Sequence, residues 1–333
     1  MKILFVWTGL TSYMADCWRR LHAAADVELK VVVDNVHSGR AFDAERLLGG
    51  LDYALVDGGK NYFEDVAAFL GGWTPDIVFA VGWRSPVVRR LVERADWRGV
   101  PKVCCFDMPW RWSLRCIAAR WVLRPFLRRY AAAYVPGRIC AKYAGWLGFP
   151  RVEKGLFSID QSRFRAAAAA AEGTPRKGFL YVGRYSDEKR VDLIERAHEL
   201  YRARGGTWPL DCYGQGGRFA QPDEMPRIYA EHACLVLASA FDPWPLVVLE
   251  AVTSGCEVIA SDRCGNRFEL PGMRVVRFGD VDAMARAMAE VEKEGGRRRR
   301  AEDDRTTDYD CETWAKRTLR IARDMVEKGG CTT

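Results

Sequence analysis

Short apolar runs alternate with longer amphipathic stretches along the first half of the chain. Apolar runs bounded by turn residues are typical of buried strands, whereas apolar positions three or four residues apart are typical of helices. This strand-helix alternation predicts a parallel sheet with helices on both faces. The strand-like runs are ILFVW, ELKVVVD, PDIVFAV and PKVCCF, and the helical stretches include TSYMADCWRRLHAA and SPVVRRLVERA.

The second half of the chain repeats this alternation, from GFLYVGR to MRVVRFG. A length of 333 residues exceeds what one hydrophobic core usually serves. We therefore predict an α/β protein with two doubly wound, Rossmann-like domains. The alanine-rich FRAAAAAAEGTPRKG is typical of a domain junction or a nearby loop, which places the boundary near Asp160. The predicted parts are 1–160, 161–310 and a C-terminal helix, 311–333, that packs back towards the N-terminal domain.

Composition narrows the class of protein. No run of about 18 apolar residues occurs, and MKILFVWTG indicates a first strand rather than a signal peptide. We therefore expect a cytoplasmic protein. Its eleven cysteines are scattered without a C-x-x-C pair, which favours reduced, buried thiols over a metal site or a disulfide framework.

The formal charge of +7 is concentrated in residues 108–151, which hold nine basic residues and no acidic one. Arginine interleaved with tryptophan suits an anionic membrane surface or a nucleic-acid backbone. The helical spacing puts Arg111 and Arg115 on one face but Arg120 and Arg124 elsewhere, and Pro125 should break the helix. The pattern therefore predicts a basic region rather than an amphipathic stripe. Its candidate contact residues are Arg111, Arg115, Arg120, Arg124, Arg128 and Arg129.

An anion site is predicted where the strand GFLYVGR ends. Gly183 and Arg184 close that strand, and Lys189 is expected to open the next helix. A helix N-terminus adds unpaired N–H donors and a partial positive charge, so a diphosphate fits there. The alternative is a helix cap beside a solvated lysine.

Glycines follow the next strand, in Tyr213-Gly214-Gln215-Gly216-Gly217. Gly214 and Gly216 would let a ligand approach the backbone at the carboxyl edge of the sheet. A simple turn is the alternative.

A dinucleotide-binding dehydrogenase is disfavoured because Gly9 stands alone after the first strand, where G-x-G-x-x-G is needed.

The segment CLVLASAFDPWPLVVLEAVTSG predicts a strand, a loop and a helix. Pro245 suits the first helical position, which leaves the amides of Leu246 and Val247 free to meet a phosphate. Asp242 precedes the helix and Glu250 lies just over one turn inside it. Each carboxylate can accept two hydrogen bonds from a vicinal diol, one of ribose and one of a hexose. A helix cap and a surface charge are the alternatives.

FLYVGRYSDEKRVDLI, YGQGG and ASAFDPWPLVVLEAVTSGCEVIAS together resemble the donor-binding half of family 4 retaining glycosyltransferases. The resemblance implies the B-type (GT-B) fold, in which two domains face each other across a cleft. It also implies that Arg184 and Lys189 bind the donor diphosphate, Glu250 the ribose and Asp242 the transferred sugar. Gly9 would let the N-terminal domain close over the phosphates.

The chain departs from this family pattern at three positions. Asp242 stands where the family has Glu, and Pro245 replaces the usual glycine, which removes an N–H donor. Asp107 occupies the neighbourhood of a histidine that many members carry, and it could orient the acceptor hydroxyl. A loop or cap residue is the alternative for Asp107.

The function predicted from the sequence is therefore retaining transfer of a sugar from a nucleotide-diphosphate sugar, with a UDP-sugar favoured over a GDP-sugar. Neither a cofactor nor a metal is expected, in agreement with the lack of a D-x-D pattern beside the phosphate site. The preferred acceptor is lipid-linked or a saccharide, reached from the cytoplasm or from the inner membrane face. Hydroxylated bases of phage-type DNA are an alternative acceptor, and a non-catalytic nucleotide-sugar binder is an alternative class.

Overall fold

The structure, a computed structural model, describes residues 1–34, 43–56, 62–214, 218–270, 272–296 and 304–329. The chain forms two compact units. The first consists of Met1–Ser158 together with Cys311–Thr333, and the second consists of Ile159–Asp310.

The first unit contains a parallel sheet of seven strands in the order β3-β2-β1-β4-β5-β6-β7. Strand β1 lies in the interior of the sheet between β2 and β4, and Ile3 to Val6 within it are completely buried. Such burial requires helices on both faces of the sheet, which the apolar runs predict. The strands are β1 (Lys2–Thr8), β2 (Glu28–Asp34), β3 (Asp52–Val56), β4 (Ile77–Val81), β5 (Lys102–Cys105), β6 (Ala132–Val135) and β7 (Val152–Lys154).

Helices connect these strands, and serine side chains cap two of them. The Ser85 hydroxyl accepts a hydrogen bond from the Val88 amide, and Ser113 accepts one from Cys116, so each satisfies a donor that the first helical turn leaves unpaired. The helices are α1 (Ser12–His22), α2 (Ala44–Leu48), α3 (Tyr62–Leu70), α4 (Pro86–Val92), α5 (Leu114–Val122), α6 (Arg124–Leu127) and α7 (Arg138–Leu147).

The second unit contains a parallel sheet of five strands in the order β12-β11-β10-β8-β9. Its strands are β8 (Phe179–Val182), β9 (Leu210–Tyr213), β10 (Cys234–Leu237), β11 (Glu257–Ser261) and β12 (Met273–Val276). Its helices are α8 (Gln161–Ala170), α9 (Val191–Ala203), α10 (Met225–Glu231), α11 (Leu246–Thr253) and α12 (Val281–Lys293).

The predicted fold class is confirmed, because both sheets are parallel and their strands alternate with helices along the chain. The alanine-rich segment differs from the expectation of a junction loop. Its alanines continue α8, which Asp160 caps by accepting a hydrogen bond from the Ser162 amide. Alanine has the highest helix propensity, so an alanine run after a good cap favours a helix.

The chain returns to the first unit through α13 (Cys311–Gly329), which packs against α1. Trp314 is fully buried, its ring centroid lies 5.8 Å from that of Phe5, and its indole nitrogen donates to the Leu156 carbonyl at 2.7 Å. Trp314 therefore anchors α13 in the core of the first unit.

Like the other helices in the described ranges, α13 is not long and apolar enough to cross a membrane.

We expect Trp314→Ala to lower the free energy of unfolding of the first unit by about 4 kcal/mol, because it leaves a large cavity and an unpaired carbonyl. Lys316→Ala is the matched control on the same helix, since Lys316 is exposed in an ion pair with Glu312 and should change stability by less than about 0.5 kcal/mol. Urea unfolding followed by circular dichroism measures both. Equal effects of the two substitutions would contradict the anchoring role of Trp314.

Candidate active site

Three loops meet at the carboxyl edge of the second sheet, where β8, β9 and β10 end side by side. Gly183 and Arg184 follow β8, Gly214 follows β9, and Asp242 lies in the loop after β10. Loops at this edge of a doubly wound sheet are where ligands bind in this class of fold. The fold thus brings together residues that lie far apart in sequence.

Gly214 makes the close approach of β8 and β9 possible. Its φ is +131°, and a Cβ atom there would lie 2.0 Å from the Gly183 carbonyl oxygen. The Gly183 amide donates to the Tyr213 carbonyl at 2.9 Å, so the two strand ends are held together. Gly214 therefore allows the backbones at the ends of β8 and β9 to lie against each other. The sequence predicted only that this glycine would let a ligand approach. Gly216, the other predicted glycine of this loop, lies outside the described residues.

Lys189 lies in a turn and does not open a helix, so that detail of the sequence prediction is wrong. The amides of Lys189 and Arg190 both donate to the Ser186 carbonyl, and α9 begins only at Val191. Arg190 has φ +50°, a left-handed conformation that interrupts a right-handed helix. The Ala240 amide donates to the Glu188 carbonyl at 2.8 Å, which ties the turn to the loop after β10.

This connection brings Lys189 against Asp242. The Lys189 Nζ donates to Asp242 Oδ2 in an ion pair, and the Trp244 amide donates to Asp242 Oδ1 at 3.3 Å. The Asp242 backbone is held as well, because its carbonyl accepts from the Gly265 amide at 2.8 Å. With 7% of its surface exposed, Asp242 is a fixed, charge-compensated carboxylate and does not cap α11.

Helix α11 directs its N-terminus towards the same loop. Pro245 immediately precedes the helix, one residue earlier than predicted, and its carbonyl accepts from the Val248 amide and from Asn266 Nδ2. The amides of Leu246 and Val247 are the first two of the helix, where no intrahelical acceptor exists. They carry the positive end of the helix dipole, and their predicted contact with a phosphate stays a prediction.

Glu250 lies on α11 one turn further along and is half-buried. The Tyr229 hydroxyl donates to Glu250 Oε2 at 2.7 Å. Burial raises the pKa of the Glu250 carboxyl above its usual value, while the hydrogen bond from Tyr229 and the charge of Arg163 act in the opposite direction. Tyr229 is itself fully buried on α10, so it holds the carboxylate in one orientation.

Arg184 is exposed beside this arrangement. Its carbonyl accepts from the Tyr181 hydroxyl at 2.7 Å, which fixes the backbone after β8. The second unit therefore supplies two cations, two helix amides and two carboxylates around the carboxyl edge of one sheet, groups that can bind anions and hydroxyl groups.

A cavity of about 570 Å³ lies at the carboxyl edge of the first sheet. It lies where the strand order reverses between β1 and β4, the place where ligands bind in open α/β sheets. Two carboxylates line this cavity. Asp107 is exposed, whereas Asp34 is buried and accepts a hydrogen bond from the Ser85 hydroxyl at 2.5 Å. Gly9 lies beside it, with φ +78° and its amide donating to the Asp34 carbonyl at 2.7 Å.

Sequence reasoning missed Asp34, Ser85 and Tyr229. Asp34 has a recognisable signal, because an acidic residue directly after the apolar run VVV marks a strand end at the ligand edge of the sheet. Ser85 and Tyr229 have no such signal, since their partners lie on distant elements.

The basic residues predicted from the sequence are all exposed on the first unit: Arg111, Arg115, Arg120, Arg124, Arg128 and Arg129. Arg129 forms an ion pair with Glu93, with its Nη2 3.6 Å from Glu93 Oε1, and its guanidinium also donates to the Pro125 carbonyl. Arg129 is therefore partly neutralised within its own unit.

Two doubly wound parallel sheets, each with a candidate ligand edge, are the architecture of the GT-B fold. The family model described as glycosyl transferases group 1 matches residues 176–294, which include β8 and α11. The protein is a glycosyltransferase with a group 1 domain in its second unit.

Solved structures share the fold over nearly the whole chain. A sucrose-phosphate synthase from Thermosynechococcus elongatus has a TM-score of 0.71 at 13% identity, covering 98% of this chain and 100% of that one. Anabaena HepE, solved with UDP and glucose, has a TM-score of 0.68 at 13% identity, covering 97% and 100%. The lipopolysaccharide outer core galactosyltransferase WaaB has 0.63 at 15% identity, covering 96% and 98%. No curated protein matches in sequence.

We expect Gly214→Ala to lower the free energy of unfolding by about 3 kcal/mol or more, because the added methyl group would collide with the Gly183 carbonyl. Gly205→Ala is the matched control: Gly205 has φ +93°, and an added Cβ atom would have no other atom within 4 Å, so the substitution should cost only about 1 kcal/mol of backbone strain. Chemical unfolding of both variants measures the difference. Equal losses would show that the strand ends can separate freely.

Proposed function

We propose that the protein is a retaining, metal-independent glycosyltransferase that moves a hexose from a UDP-sugar to a hydroxyl of a lipid-linked or saccharide acceptor. The observation that carries the proposal is the gathering of Lys189, Asp242 and Glu250 around the N-terminus of α11. The sequence resemblance to family 4 enzymes assigns these positions to a nucleotide-sugar, and their geometry suits one.

The donor diphosphate would lie against Arg184, Lys189 and the first amides of α11. Lys189 is already paired with Asp242, and an ammonium group has three N–H donors, so it can bind a phosphate oxygen without releasing the carboxylate. The pair keeps both side chains in place before the donor arrives. Because these side chains lose little conformational freedom when the donor binds, the affinity for the donor should be higher.

The two carboxylates would divide the hydroxyl groups of the donor between them. Glu250, oriented by Tyr229, would accept from the ribose hydroxyls. Asp242, near the start of α11, would accept from hydroxyls of the transferred sugar. Because Asp is one methylene shorter than the Glu usual in the family, it reaches a sugar lying deeper at the sheet edge.

Retention would follow a front-face reaction. The bond between the sugar C1 and the leaving diphosphate oxygen breaks, the acceptor oxygen bonds to C1 from the same face, and the leaving diphosphate takes the acceptor's proton. Arg184, Lys189 and the amides of Leu246 and Val247 would stabilise the charge that develops on the diphosphate. These groups supply positive charge where many other transferases use a metal ion, so no metal is required.

The acceptor would enter the cavity of the first unit, where Asp34 and Asp107 present carboxylates. Asp107 would orient the acceptor hydroxyl. The similarity to WaaB, a lipopolysaccharide galactosyltransferase by its description, supports a saccharide carried on a lipid as the acceptor. Such an acceptor would be met in the cytoplasm at the inner face of the membrane.

We expect UDP-sugars to bind and to be slowly hydrolysed to free sugar, and Glu250→Ala to weaken binding about 10- to 100-fold, because hydrogen bonds to a charged group are lost. A thermal-shift panel of UDP-, GDP- and ADP-sugars measures binding, since a ligand at 100 times its Kd adds about 2.7 kcal/mol of stability. Turnover is followed by release of the nucleotide.

Glu231→Gln is the control for this experiment, because Glu231 is an exposed acid on α10 in an ion pair with Arg227 and should leave binding unchanged. Turnover that persists in EDTA supports metal independence, and NMR of the product gives its anomeric configuration. The proposal fails if none of the nucleotide-sugars binds or turns over.

The affinity for uridine should fall as the pH decreases from 7.5 towards 5, since ribose binding needs the ionised Glu250 and its pKa lies above the usual value. Tyr229→Phe removes a hydrogen bond that lowers this pKa, so the loss of affinity should begin at higher pH in the variant. Uridine is used because it carries no phosphate that titrates in this range. Isothermal titration calorimetry gives the affinity at each pH.

Glu250→Gln provides the control for the pH series. A glutamine cannot titrate, so its weaker affinity should be independent of pH over the same interval. If the wild type and Glu250→Gln lose affinity in parallel, the titrating group is not Glu250.

A further inference from the structure

The outward face of α5 in the first unit is apolar. Leu114 and Trp121 are seven residues apart and therefore lie on one face of the helix, and they are 85% and 58% exposed; Val122 beside Trp121 is 73% exposed. Cys116 and Leu123, on the opposite face, pack against the core of the unit. Exposed large apolar side chains opposite a buried face are unusual for a helix in contact only with water.

Arginines flank this apolar face on both sides. Arg115 lies on one side of it along the helix, and Arg120 lies on the other, followed by Arg124 and Arg128. Within the part of the chain that the structure describes, none of these four guanidinium groups pairs with a carboxylate. The structure thus differs from the sequence prediction of a basic region without a stripe, because the exposed apolar residues supply the stripe and the arginines border it.

A basic cavity of about 360 Å³ opens beside the helix. Arg120, Arg124 and Arg128 line it together with Trp121 and Tyr130, and no acidic residue contributes to its walls. Three arginines around a small cavity offer many N–H donors to one phosphate group. The cavity is therefore suited to an anionic headgroup that reaches the protein alongside the apolar face.

Trp121 of the apolar face belongs to a group of tryptophans whose rings pack against one another. Trp146 lies 6.2 Å from Trp121 and 4.9 Å from Trp110, measured between ring centroids, and Arg120 lies over the Trp146 ring at 5.4 Å. Trp112, in turn, packs edge-on against Trp110 at 5.6 Å and is 87% exposed. Tryptophan favours the boundary between water and lipid, where its ring is buried and its N–H stays wet.

We propose that the face formed by Trp112, Leu114, Trp121 and Val122, with its bordering arginines, docks the protein on a bilayer of anionic phospholipid. We call it the docking face. The apolar side chains enter the headgroup layer, the arginines bind lipid phosphates, and the helix lies in the plane of the interface. Leucine and valine at the tip of the face favour lipid over nucleic acid, because neither side chain stacks on a base.

The docking face lies close in sequence to the cavity at the sheet edge of the first unit. Met108 lines that cavity, and only residues 109–113 separate it from Leu114. A bilayer bound to α5 would therefore present its headgroups near the place proposed for the acceptor. Docking needs no nucleotide-sugar, so the docking proposal can be tested independently of the proposed donor chemistry.

The test is co-sedimentation of the full chain with vesicles in the absence of nucleotide. We expect binding to vesicles of equal parts phosphatidylcholine and phosphatidylglycerol, little binding to phosphatidylcholine alone, and weaker binding at high salt. Arg120→Gln with Arg124→Gln should weaken partition about fivefold for each arginine. Leu114→Ser with Trp121→Ser should weaken it about tenfold or more.

Arg196→Gln with Arg202→Gln is the matched control, because it removes the same charge from exposed positions on α9 of the second unit and should leave partition unchanged. Thermal unfolding and circular dichroism of each variant show whether it is folded. The proposal is overturned if both arginine pairs weaken partition equally, if the Leu114 and Trp121 replacements have no effect, or if the wild type binds a DNA duplex and not the vesicles.

Discussion

Every strand of both sheets runs parallel to its neighbours, and this constraint organises the molecule. Parallel strands need a crossover after each strand, so both faces of each sheet are covered by helices and all carboxyl ends meet at one edge. Because helices pack on both faces of each sheet, the residues that contact a ligand come from the loops at this edge. The site residues accordingly come from loops that are remote in sequence but adjacent in the sheet.

Charge compensation shapes the edge of the second sheet. Asp242 is almost completely buried and lies against Lys189, and burying a charged group costs free energy unless a partner compensates the charge. Glu250 is stabilised differently, by a neutral hydroxyl from Tyr229. The two carboxylates thus have different neighbours, a cation for Asp242 and a neutral hydroxyl for Glu250, so they can serve different parts of one ligand.

The sequence predicted the fold well because apolar periodicity reports directly on burial. It predicted the start of α9 wrongly, because the left-handed Arg190 is fixed by the turn around Lys189 and by contacts with the loop after β10. Motif spacing identified Arg184, Lys189, Asp242 and Glu250 as candidates, and their roles stay predictions. It could not supply Tyr229 or the pairing of Lys189 with Asp242, since both depend on which elements become neighbours in the folded chain.

The first unit is completed by a segment that follows the whole of the second. Cys17 on α1 and Cys311 at the start of α13 lie with their sulfur atoms 3.5 Å apart, although the ribosome makes one long before the other. During synthesis the face of α1 that packs against α13 lacks this partner while the second unit emerges. The nascent chain therefore exposes part of the apolar core of its first unit until α13 leaves the exit tunnel, so this unit can complete its core only after the second unit has been synthesised.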